Sequence, residues 1–187
     1  MEQFWYFVLY SFLGFLLEVV YARCTGGRRD RKCLLVLPLC PVYGLGALAV
    51  LALPPFVLSR PLLLMALGGA AATAVEYAMA LFYEDCLGVS FWDYRELPWN
   101  LHGRVCLLFS AAWALLLPAS VYWIHPWARR LAAAIPLPVT WAAIAAVGAD
   151  VLVSTVLLRC TGSRDSLRWY RRRTPPFPAP PRRFLFP

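Results

Sequence analysis

The chain has 187 residues, of which 61% are hydrophobic and only 15% charged, with a net charge of +8 and a mean hydropathy of +0.61. Soluble domains carry about a quarter charged residues. Here the charges fall in short blocks between long apolar runs, which excludes an ordinary soluble domain and predicts one polytopic membrane bundle. The basic residues flank apolar segments instead of lining a polar surface, which argues against nucleic-acid binding. No GxxxxGK[ST] occurs, so nucleotide hydrolysis by that motif is excluded.

Five runs reach the roughly 20 residues needed to cross a bilayer. The first, over residues 3–22, has no basic region before it and a positive cluster after it, the pattern of an uncleaved anchor. It carries Glu18, and a charge at membrane depth costs about 2.5–3.5 kcal/mol on insertion scales, so it needs a partner. Ser11, Gly14, Glu18 and Tyr21 follow one helical stripe, whose small residues allow close helix approach and point it into the bundle. The second run, 34–58, contains Pro38, Pro41, Pro54 and Pro55, which predicts irregular ends; its "CPVYGLG" brings Cys40, Tyr43, Gly44 and Gly46. The third, 61–83, begins at Pro61, which suits a first helical turn, and carries Gly69, Thr73 and Glu76 on one face. Glu84 and Asp85 at its end are expected to be solvated.

A loop rich in aromatic residues, "FWDYRELPWNLHGR", follows. Its Trp92, Asp93, Tyr94, Asn100 and Gly103 are expected at the headgroup level as an interfacial or partner-docking segment. Arg104 is expected to enter the membrane with the fourth run, 104–124. The fifth, 139–158, holds Asp150 with Ser154 one turn on. Residues 1–160 thus form the membrane domain, and 161–187, dominated by arginine and proline, read as a disordered tail.

Lys and Arg fix an expected direction. Three of them (Arg60, Arg129 and Arg130) fall on one side of the five spans, and the other fifteen fall in the first loop, the third loop and the tail. Positive charge stays in the cytoplasm, which predicts an outside N-terminus and a cytoplasmic C-terminus. Cys24, Cys33, Cys40, Cys86, Cys106 and Cys160 then lie near the cytoplasmic side, where free thiols are expected. No CxxC pair exists and His102 and His125 fall on opposite faces, so neither a metal nor a cofactor is expected.

This topology gathers polar groups in one leaflet: Glu18, Glu76, Tyr43 and Arg104, joined by Asp93 and Asn100. Arg104 is the fixed cation expected to pair with the carboxylates. Such a cluster suits either a buried packing network or a site for a substrate, cation or proton.

The blocks "YSFLGFLLEVVY", "LCPVYGLGAL", "ATAVEYAMALFYE", "FWDYRELPWNLHGRVCL" and "IHP" resemble the CmpB-like ABC-transporter type IV integral membrane proteins, bacterial permeases, over residues 4–160. The resemblance implies a multi-pass permease component in the bacterial plasma membrane, working with a separate ATPase. It carries no catalytic residues. Family members show an "NLNGR" block, where this chain has His102. Five spans further suggest a homo-oligomer or second subunit, and the arginine-rich segments suit anionic lipid. A membrane-embedded enzyme acting on lipid, with Glu18, Glu76 or Asp93 as acid or base, and a structural partner of other membrane proteins are the alternative readings.

Overall fold

The computed structural model describes residues 1–25 and 35–167. The fold is all-α apart from one small hairpin, with four helices long and apolar enough to cross a membrane: α1 (Glu2–Cys24), α4 (Pro61–Cys86), α5 (Leu107–Ala134) and α6 (Leu137–Thr161). Between α1 and α4 lie the shorter α2 (Pro41–Leu51) and α3 (Pro55–Leu58).

The expected span over 34–58 is therefore broken. Residues 35–38 are bent and non-helical, and Cys40 is extended ahead of α2. α2 has only 11 residues, about 16 Å at 1.5 Å per residue. Proline explains both ends. Pro41 opens α2 at a position where its missing N–H costs nothing, and the Pro54–Pro55 pair ends the helical stretch. The fourth helix also departs from expectation. It starts at Leu107, after a hairpin that holds Arg104, and runs on to Ala134 through residues expected to be a loop. A π turn over Ser120–Ile124 lies between Pro118 and Pro126 and accommodates them without ending the helix.

α1 packs most extensively on α2, and α2 in turn on α4. Small residues set that approach. A Cβ on Gly14 would collide with the Tyr43 ring, and one on Gly44 with Ser11 Oγ and Phe7. The stripe read from the sequence faces α2, with Ser11 fully buried and Tyr21 exposed. α6 stands to one side, held largely by polar links. The Trp5 indole donates to Thr140 Oγ1 at 3.0 Å. The Val36 and Leu37 N–H groups donate to the Asp150 carboxylate at 3.1 and 2.9 Å. Leu158 closes a core cluster with Leu35, Leu39, Tyr83 and Leu167. Residues Arg164–Leu167 form a 3-10 turn with Leu167 buried, so the start of the expected tail is folded, and the remainder lies outside the described residues. Cys40 is disulfide-bonded, against the expectation of a free thiol, whereas Cys24, Cys86, Cys106 and Cys160 are free.

Candidate functional site

The polar residues meet at the end of the bundle formed by the C-terminal half of α4, the start of α5 and the loop between them. That loop is ordered by its own turn chemistry. Asn100–Leu101 pairs antiparallel with Val105–Cys106, and His102 and Gly103 between them have φ of +56° and +72°. A hairpin turn of the primed type needs positive φ at both positions, which glycine accepts freely and histidine more readily than most. Asn100 stabilises the turn, its amide donating to Leu97 O at 2.8 Å and its Oδ1 accepting the Gly103 N–H at 2.9 Å. Asp93 accepts the Arg95 N–H at 3.0 Å. The Trp92 indole donates to Arg104 O at 2.8 Å. Trp92, Asp93, Asn100 and Gly103 are thus the internal struts of this loop.

Tyr94 leaves the loop and enters the bundle. Its hydroxyl donates to Glu76 Oε1 at 3.1 Å, and the Trp113 indole donates to Glu76 Oε2 at 2.9 Å. Glu76 is only 5% exposed, so both donors satisfy a carboxyl group that the surrounding helices shield from water. The Trp113 ring lies 4.7 Å from that of Tyr43, whose hydroxyl donates to Glu18 Oε1 at 2.7 Å. Tyr94 in turn stacks on Phe109 at 4.9 Å. Glu18, Tyr43, Trp113, Glu76 and Tyr94 form one chain of acidic and aromatic side chains.

Arg104 lies apart from that chain. Its guanidinium pairs with Glu84 at 2.7 Å and donates to the Tyr77 hydroxyl at 3.4 Å, with its centre 5.5 Å from that ring. The Tyr77 hydroxyl also meets His102 Nδ1 at 2.9 Å. The hydrogen bond to Glu84 raises the Arg104 pKa above its ordinary value, with Tyr77 adding to the effect against some desolvation. The sequence reading matched Arg104 with Glu18 and Glu76 and left Glu84 in solvent. The correction follows from the hairpin: it holds Arg104 outside α5, at the level where α4 ends. Trp113 was not singled out, although an indole N–H deep in an apolar run needs an acceptor and so points to a polar partner.

A cavity of about 280 Å³ opens beside this second group, lined among others by Glu84, Trp92, Asp93, Arg95 and His102. Among the described residues no group of three His, Cys, Asp or Glu side chains is placed to hold a metal ion. The arrangement is suited to holding a proton or a cationic group between aromatic faces. We expect Arg104→Ala to lower the melting temperature in detergent more than Arg129→Ala, because it strands Glu84 and unties the hairpin, while Arg129 is exposed and forms no ion pair among the described residues. Equal melting temperatures for the two variants would refute that role.

The fold is that of a helical, multi-pass membrane protein, with Glu76, Glu84 and Arg104 placed near the loop that joins α4 and α5. Residues 5–157 match the family model described as "Putative ABC-transporter type IV", and the chain belongs to that family. Comparison with curated proteins and with solved structures gave no match.

Proposed function

We propose that this chain is the membrane-spanning permease component of an ABC-type transport system whose ATPase is a separate chain. In this reading the short α2, with the irregular segments around it, completes a fifth crossing. The N-terminus faces out, and the hairpin end and C-terminus face the cytoplasm of a bacterial cell, as the distribution of arginine favours. The observation that carries the proposal is the hairpin loop. Its outer side presents Trp99, 82% exposed, with Arg95 and Glu96 also exposed, while Tyr94 on its inner side hydrogen-bonds Glu76 inside the bundle. Such a loop gives an ATPase a surface to grip and links that surface to a buried acidic site. Glu18, Tyr43 and Glu76 are the substrate- or ion-facing groups, and Arg104 holds the loop in place.

The test is affinity purification from native membranes in mild detergent. An ATP-binding subunit is expected in stoichiometric amount with the wild type and with Tyr94→Phe, and lost with Trp99→Ala. Tyr94→Phe is expected to retain the subunit and lose substrate-stimulated ATP hydrolysis. Purification of the wild-type chain without any ATP-binding partner would overturn the proposal.

A further inference from the structure

The opposite end of the bundle carries a surface that the permease reading does not use. α5 has 28 residues, about 42 Å at 1.5 Å per residue, against a hydrocarbon core of about 30 Å. Leu107 and Leu108, at its hairpin end, are exposed apolar residues, and the run stays free of charge to Ile124. The excess length therefore falls beyond residue 124, and the pattern changes there. Over His125–Ala134 the helix is amphipathic. Ala128 and Ala132 are buried, with Ala132 packed among Tyr6 and Tyr10 of α1, while Trp127, Arg129 and Arg130 are exposed.

Three tryptophans place this surface in depth. Trp123, Trp127 and Trp141 are 80%, 53% and 58% exposed, and exposed tryptophan in a membrane protein concentrates at the headgroup level. Among the described residues neither Arg129 nor Arg130 makes an ion pair or a side-chain hydrogen bond. Glu2, the nearby acidic residue on α1, accepts the Tyr6 hydroxyl at 2.8 Å instead. Arg129 and Arg130 are both exposed on this turn, Arg130 three residues on from the exposed Trp127, and such cationic groups at headgroup level complement a phosphodiester.

We infer that Arg129 and Arg130 form a binding surface for the phosphate of an anionic phospholipid in the leaflet at the N-terminal end of α1. The surface fixes the last turns of α5 against the headgroups and does not depend on the transport reading or on the direction of insertion.

The test is amide hydrogen exchange over residues 125–134 of the full chain in nanodiscs of phosphatidylcholine alone or in an equal mixture with phosphatidylglycerol. Phosphatidylglycerol is expected to slow exchange in this segment by up to about thirty-fold, the effect of two surface arginines on one headgroup site. Arg129→Lys/Arg130→Lys retains part of the slowing, and Arg129→Gln/Arg130→Gln abolishes it while exchange over residues 87–106 is unchanged. Equal exchange in the two nanodiscs, or undiminished slowing in the glutamine variant, overturns the inference. Slowing by inorganic phosphate added to phosphatidylcholine nanodiscs overturns the lipid as the source of the anion.

Discussion

Gly44→Ala is expected to destabilise the protein by about 1–3 kcal/mol, the usual range for forcing a methyl group into a filled contact, while Gly46→Ala, two residues along the same helix, is expected to be neutral or slightly stabilising. The difference lies in what each Cβ would meet. At Gly44 it meets Ser11 Oγ, the Phe7 ring at 2.6 Å and the Phe7 carbonyl oxygen, also at 2.6 Å. A side-chain tip can rotate away, but a backbone carbonyl in α1 cannot, so the two helices must separate. At Gly46 nothing lies within 4 Å, and alanine recovers up to about 1 kcal/mol of helix propensity. Thermal unfolding of both variants in one detergent checks this, and equal melting temperatures would show that α1 and α2 do not approach as described. In lipid this contact matters more than its area suggests, because helices there associate through packing instead of water exclusion.

Asp150→Ala is expected to be at least as damaging. The carboxylate accepts the N–H groups of Val36 and Leu37, and the Ser154 hydroxyl, at 3.1 Å, braces it from one turn away. The segment at 35–38 is not helical, so these amides have no helical acceptor, and hydrocarbon offers none. The Val36 N–H keeps a second acceptor in Ser154 Oγ at 3.2 Å, so alanine leaves chiefly the Leu37 N–H unmet, a loss of about 1–3 kcal/mol from a protein whose total stability is about 5–15 kcal/mol. Asp150→Asn retains a carbonyl acceptor and is expected to fall between alanine and wild type. Ser154→Ala is expected to be milder, because Asp150 still holds both amides. Thermal unfolding ranks the three, and an Asp150→Ala protein that melts with the wild type would remove Asp150 from this role.

Apolar runs and their length made the long helices legible in the sequence, because a membrane span is a composition signal that needs no partner. The stripe of Ser11, Gly14 and Glu18 was legible for a similar reason, since helical spacing alone puts those residues on one face. Pairing was not. Arg104 was matched with the carboxylates nearest in estimated depth, but depth along one axis does not fix contact, and the three-residue connection His102–Gly103–Arg104 between the paired Leu101 and Val105 decides which helix end Arg104 meets. Asp150 was legible only as a polar residue one turn from Ser154, because its other partners are backbone amides, which leave no mark in composition. The prolines around α2 signalled irregularity without telling how much of the run would stop being helical. Arg129 and Arg130 entered the topology count as loop residues, since a helix that continues through Pro118 and Pro126 by way of a π turn has no simple period to read.

The link from Asp150 to residue 36 also has a consequence for how the chain is made. The two partners are separated by 114 residues, so at a synthesis rate of roughly 5–20 residues per second the amides of Val36 and Leu37 wait about 6–23 seconds for their acceptor. Lipid cannot satisfy them during that interval, so the entry to α2 stays in contact with water until α6 arrives. The last helix to emerge therefore seals the second one, and the bundle reaches its dry state only when synthesis of the membrane domain is nearly complete.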